Sequence, residues 1–209
     1  MDLTGIKNII FDFGGVICNL DLKRSEKEFL ALGLTSFDND YSVVARDTLF
    51  GRLEAGTITP AEFRISVRQF FTRPVSDNEI DAAWNAMLLD IPAQRIRLIE
   101  KLAKHYRVFL LSNSNEIHYH KYRHDLQACY GYTDFNQLFE KAYFSYQIHL
   151  KKPGVAIFEY VLRDSDLVAG ETFFIDDTLR HVEGARAAGI HGHHLDLTRG
   201  DEVVDLFGA

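Results

Sequence analysis

The sequence predicts an α/β fold, a mostly parallel sheet covered by helices on both faces, with a long helical segment inserted after the first strand. Three observations predict it. Short apolar runs of strand length, rich in β-branched or aromatic residues, alternate with helical periods along most of the 209 residues, as strands joined by helical crossovers do. Each run gives way to polar or glycine-containing sequence, the usual end of a strand. The stretch between the first two runs holds helical periods and no convincing buried strand.

The first strand is expected at residues 6–13 and starts almost at once. Further strands are expected at 107–111, 142–146 and 172–175, with a less regular one at 190–195. Helical patterns fill the gaps at 92–105, 116–129, 155–162 and 178–188. Residues 19–90 form the exception. Leu22, Phe29 and Leu30 fall on one helical face, as do Phe63, Val67, Phe70 and Phe71. Thr59, Pro60 and Glu62 read as a helix start, with a hydroxyl N-cap, proline at the first helical position and glutamate closing a capping box. The expected division is therefore an α/β core from residues 1–18 and 91–209 and a helical unit from 19–90. Such an insertion sits at the carboxyl end of the first strand, where open α/β sheets bind their ligands.

Composition narrows the function classes. Apolar residues make up 46% and charged residues 25% of the chain, ordinary values for a globular protein. A formal charge of −7 argues against a nucleic-acid surface or a polybasic membrane contact. Cys18 and Cys129 are too few for a disulfide framework and match no zinc spacing. No apolar run reaches the ~18 residues of a membrane span. The first residues lack the basic flank and cleavage site of a signal peptide. A cytoplasmic protein is the expectation.

Four strand ends carry polar residues that structure alone explains poorly. Asp12 follows an apolar strand, then Gly14 and Gly15; a carboxylate there is expensive to desolvate unless a cation or hydrogen bonds meet it. Ser112 and Asn113 close the second strand. Lys151, Lys152 and Pro153 lead into a helix, and Asp176 and Asp177 end another apolar strand. An isolated aspartate or Ser-Asn pair is usually a turn or helix cap. Four in this order, each at a strand end, make a constellation.

From Ile9 to about Ile190 these segments resemble, in order, the four motifs of haloacid dehalogenase (HAD) superfamily hydrolases. The inserted helices resemble that superfamily's α-helical cap. The glycine-rich first motif and the Ser-Asn, Lys-Pro and Asp-Asp elements are most similar to small sugar-phosphate phosphatases acting on glucose 1-phosphate, and to the phosphatase-like amino-terminal domains of epoxide hydrolases. The resemblance implies a Rossmann-like core with an inserted cap, and a Mg²⁺-dependent phosphomonoesterase of small phosphorylated metabolites. It implies that Asp12 is the nucleophile, forming an aspartyl-phosphate. Asp12, Asp177 and the Gly14 carbonyl would hold Mg²⁺, with Asp176 behind them orienting metal-bound water. Ser112 and the Asn113 main-chain amide would hold phosphoryl oxygens, and Lys152 would neutralise charge on nucleophile and phosphoryl group.

The sequence departs from the pattern at Gly14, where most such phosphatases carry an acid–base aspartate. That help is typically worth ~10²–10⁴-fold. Three readings stay open: an acidic leaving group such as an anomeric hydroxyl, hence a sugar 1-phosphate; another proton donor, with Asp21 the first candidate and equally a helix N-cap; or a silent protein that binds phosphorylated ligands. A haloacid dehalogenase is the further alternative, and the Asp176-Asp177 pair opposes it. His181 stands where the family often has asparagine, free to bond a carboxylate or to lie on a helix face. His118, His120 and His124 read as a solvated or site-rim helix, and His191, His193 and His194 as surface histidines. Phe63, Phe70, Phe71 and Trp84 read as the core of the inserted helices.

Overall fold

The computed structural model of the chain describes residues 3–34 and 49–208. Five strands form one parallel sheet: β1 (Asn8–Phe11), β2 (Arg107–Ser112), β3 (Lys141–Phe144), β4 (Thr172–Asp176) and β5 (His191–His194), in the order β3-β2-β1-β4-β5. β1 is central, with Phe11 in register with Leu110 on one side and Ile175 on the other. All strands run the same way, so the residues that follow them gather at one edge of the sheet.

Alternation along the strands feeds two cores. Ile9, Phe11, Leu110 and Ile175 face one side, packing with Ile96 and Ile99 of α5 (Ala93–Leu102) and with Tyr122 and Leu126 of α6 (Glu116–Tyr130). Ile10, Phe109, Leu111 and Phe174 face the other, against Phe158 and Val161 of α8 (Val155–Asp164) and Ala185 of α9 (Leu179–Ala187). The strands are slightly shorter than their apolar runs. Residues 145 and 146, expected in the third strand, belong instead to a short helix, α7 (Ser145–Ile148), because the chain turns at Ser145 to anchor on the loop after β2.

Between β1 and α5 the described chain is helical: α1 (Leu22–Ala31), α2 (Gly51–Glu54), α3 (Pro60–Arg68) and α4 (Asp77–Asn85). This segment leaves and returns through one neck. Asn19 donates to Asp90 O, Leu89 to Asn19 O and Asp21 to Met87 O, each 2.9 Å. Ser25 ties α1 to α4, donating to Trp84 O at 2.8 Å and accepting from Met87 N at 3.0 Å. Phe29, Phe50, Phe63 and Trp84 fill the space between the helices. Thr59 makes its capping box with Glu62, Pro60 at the first helical position, and Ser76 makes a second with Glu79.

Three apolar expectations fail here. Leu22, Leu30 and Phe70 are exposed by 54%, 46% and 40%. A face wide enough to bury Ser25 and Phe29 leaves Leu22 and Leu30 at its margins, and Phe70 lies past the end of α3 while Phe63 and Val67 point inward. His118, expected at the solvated rim, is buried: its ring stacks on Trp84 with centroids 4.7 Å apart, and its Nδ1 meets Asn85 Oδ1 at 2.9 Å. Burial pushes its pKa down to about 3, so the ring is neutral. Among the described residues no helix is long and apolar enough to cross a membrane.

Candidate active site

Asp12 is the first residue beyond β1, and its amide still joins the ladder, donating to Ile175 O at 2.9 Å. That bond fixes its Cα beside β4 and aims the carboxylate over the sheet edge. Asp12 Oδ1 accepts from Phe13 N at 2.7 Å and from Lys152 Nζ at 2.8 Å. The same ammonium reaches Asp176 Oδ2 at 2.6 Å. Lys152 is 1% exposed and Asp176 wholly buried. Asp177, less buried, completes the group: carboxylate oxygens of Asp12, Asp176 and Asp177 lie within 4.8 Å of one another.

Burial pushes the Asp12 pKa up to about 8, reinforced by the charge of Asp176 and opposed by Lys152. Asp177 is raised by burial and by Asp176. Asp176 behaves oppositely. Burial works against its charge, yet Lys152 and His181 hold it well below the usual carboxylate range. Thr178 N donates to Asp176 Oδ1 at 2.8 Å, and His181 Nδ1 lies 3.0 and 3.1 Å from its two oxygens. Lys152 is desolvated, but Asp12 and Asp176 raise its pKa and keep it charged. Three carboxylates thus face one ammonium. An all-oxygen donor set with surplus negative charge in a half-dry pocket suits a hard divalent cation.

The glycines make room for this cluster. A Cβ on Gly15, whose φ is +76°, would sit 2.2 Å from Asp177 Oδ2, so a side chain there would displace the carboxylate. A Cβ on Gly14 would meet Leu20 Cδ1 at 2.6 Å. Leu20 therefore occupies the room that a side chain at position 14 would need. Asp21 is engaged as the N-cap of α1, its Oδ1 accepting from Lys23 N at 3.1 Å.

Ser112, buried at the end of β2, stands beside Phe144 in the sheet register. Asn113 follows it, and its side chain turns away to grip the main chain of Lys152. Sequence reasoning assigned Asn113 only through its main chain. No local signal links residues 113 and 152, which meet because β3 lies next to β2. His181 takes the carboxylate-bonding role, not the helix-face one. His194, expected on the surface, is half-buried with Nε2 donating to Asp177 O at 3.0 Å; β5 lies beside β4, which brings it behind the acidic pair. Lys151 remains a partly exposed lysine, 3.1 Å from Glu54.

A family model of haloacid dehalogenase-like hydrolases matches residues 6–189. The chain belongs to that family. It is 30% identical over 184 residues to a D-ribitol-5-phosphate phosphatase of Bacteroides thetaiotaomicron, covering 88% of this chain and 89% of the relative. It is 25% identical to a sesquiterpene phosphatase of Aspergillus oryzae, covering 92% of this chain and 91% of that one. Among solved structures, a HAD family enzyme of Bacteroides thetaiotaomicron superposes with a TM-score of 0.90 at 36% identity, covering 98% of this chain and all of the other. That structure is of an aspartate-to-alanine mutant in complex with magnesium and inorganic phosphate. The HAD-like chain thus has phosphatases among its relatives at nearly full length.

Proposed function

We propose that this HAD-like hydrolase is a Mg²⁺-dependent phosphomonoesterase that acts on a small phosphorylated metabolite through an aspartyl-phosphate on Asp12. The observation that carries the reading is the buried ammonium of Lys152 held 2.8 Å from Asp12 and 2.6 Å from Asp176, with Asp177 beside them. Lys152 favours the charged form of that carboxylate against the burial that raises its pKa, a bound divalent cation would favour it further, and the group is aimed at whatever binds over the sheet edge.

Asp12 and Asp177 would hold the ion together with the Gly14 carbonyl, and Asp176 would orient its water. Bound there, Mg²⁺ supplies charge neutralisation for Asp12 and the phosphoryl oxygens. Asp12 attacks phosphorus, the P–O bond to the leaving group breaks, and the departing oxygen takes a proton. Water then attacks the acyl phosphate and releases inorganic phosphate, restoring Asp12. Ser112 Oγ and the Asn113 amide hold phosphoryl oxygens, and Lys152 neutralises the charge that develops on them. The helices within 19–90 act as the cap over this edge and set which organic group fits. The tie of Glu54 to Lys151 and of Ser145 Oγ to Glu54 O at 2.6 Å supports that docking.

With glycine at position 14, the leaving group gets no carboxylic acid from that position. This favours substrates whose leaving oxygen is acidic for an alcohol, such as sugar 1-phosphates. The polyol-phosphate relative makes primary phosphates the rival class. A dehalogenase is disfavoured, because three carboxylates converging on one ammonium leave surplus negative charge that repels an anionic haloacid.

The test is phosphate release from a panel of sugar 1-phosphates, polyol phosphates and para-nitrophenyl phosphate, with and without Mg²⁺, beside Asp12→Asn. Metal-dependent release that disappears in Asp12→Asn is the expected result. Release by neither protein from any substrate, with Mg²⁺ bound, would turn the reading toward a silent phospho-ligand binder.

A further inference from the structure

We propose that the Asn113 side chain is the positioning residue for Lys152, fixing the main chain from which the buried ammonium reaches Asp12 and Asp176. Asn113 Nδ2 donates to Lys152 O and Asn113 Oδ1 accepts from Lys152 N, both at 2.9 Å. One primary amide thus takes both main-chain groups of a residue 39 positions away, as a neighbouring strand would. Lys152 lies in the irregular segment between α7 and α8, where no ladder does that work.

The start of α7 is held from the same place. Ser114 N donates to Ser145 Oγ at 2.9 Å, and that hydroxyl is 3.0 Å from Ser114 O. Residues 113 and 114, just beyond β2, therefore pin positions 152 and 145. The anchoring matters because a lysine ammonium rides on four flexible carbons. Holding it 2.8 and 2.6 Å from two carboxylates requires its Cα to be fixed first, by groups locked in their own turn.

The chemistry selects asparagine. Only a primary amide offers a donor and an acceptor side by side. Aspartate would keep the acceptor for Lys152 N but set a carboxylate oxygen against Lys152 O. Alanine would leave both main-chain groups without this partner. Neither change removes the main-chain amide of residue 113, so phosphoryl binding there is retained.

The catalytic consequence rests on the phosphatase reading; the positioning itself does not. The experiment compares wild type, Asn113→Ala and Asn113→Asp by two readouts. The first is amine-reactive labelling of the folded proteins with mass-spectrometric quantification, Lys151 serving as the exposed neighbour. The second is steady-state turnover of para-nitrophenyl phosphate with Mg²⁺. The isosteric Asn113→Asp keeps the comparison usable if Asn113→Ala does not fold.

The expected result is Lys152 labelled severalfold faster in the variants and Lys151 unchanged. Alongside it, kcat falls roughly 10- to 100-fold with KM preserved, the scale of a misplaced catalytic group. Faster Lys152 labelling in proteins of which even the wild type releases no phosphate would keep the positioning and overturn the phosphatase reading. Lys152 as protected in folded variants as in wild type would overturn the positioning, whatever the turnover.

Discussion

The strand ends and the helices after β1 are both well buried, but they bury different things. At the strand ends the groups removed from water are charged: Lys152 and Asp176 are 1% and 0% exposed, and Asp12 is 7% exposed. Between the inserted helices the buried groups are rings, with Phe50 and Trp84 centroids 4.5 Å apart and Phe50 and Phe63 5.2 Å apart. Ring packing stabilises in proportion to the area it hides and loses stability gradually when trimmed. A buried charge cluster is stable only while complete, so removing one member strands the rest. One region is built for tolerance and the other for a function that requires all its members.

Lys152→Met gives the sharpest break of that comparison. It keeps the volume of the side chain and strands Asp12 and Asp176 without their ammonium. A loss of about 3–5 kcal/mol in urea unfolding is expected, with phosphate release down by ~10²-fold or more. Added Mg²⁺ should restore part of the stability and none of the rate. Full activity in the variant would dismiss Lys152 from the chemistry.

His118 sits on the seam between the regions, an α6 side chain stacked on Trp84 of α4. Its pKa is lowered by burial from 6.5 to about 3, so the unfolded chain binds a proton that the folded one refuses. Stability from this group is complete above pH 6.5 and falls as pH drops toward 3. Between pH 7 and pH 5 the loss should be about 2 kcal/mol. Unfolding free energies at both values, for wild type and His118→Gln, isolate it: the variant should lack that share of the slope. Equal slopes would mean that the ring stays solvated.

The mildest test lies on the insertion's surface. Ser76→Ala removes the N-cap of α4 and half of its capping box, at a cost of about 1 kcal/mol. Melting curves and turnover together check it, since kcat at saturating substrate should not move. A fall in kcat as large as that of Lys152→Met would erase the distinction between the two regions.

What could be read in advance divides along the same line. Local features were legible: the apolar runs of the strands, the polar residues that end them, and the Thr59 to Glu62 capping box, whose partners are three residues apart. The contacts that organise the charges were not. Asn113 with Lys152 and His194 with Asp177 O depend on which strands become neighbours, and strand order is not written in any local pattern. His118 looked like a solvated histidine because the ring that covers it belongs to a helix more than thirty residues earlier. Leu22, Leu30 and Phe70 show the converse limit. Helical period marks a face, but how much of it is covered depends on the partner's width.

The strand order also schedules the assembly of the site. Asp12 is made before the rest of its group: β1 lies between β2 and β4 in the finished sheet, and Asp177 lies 165 residues further on. At ordinary elongation rates that interval is roughly 10–30 s. Until β2 is made β1 is an unpaired apolar strand, and until Lys152 is made the carboxylate at its tip has no ammonium to meet it. Asp12 is therefore made long before the group it belongs to, and β4, with the acidic pair at its end, completes that group. A chain cut short before Thr172 would contain the inserted helices, Asp12 and Lys152, and still have no acidic pair to set against them.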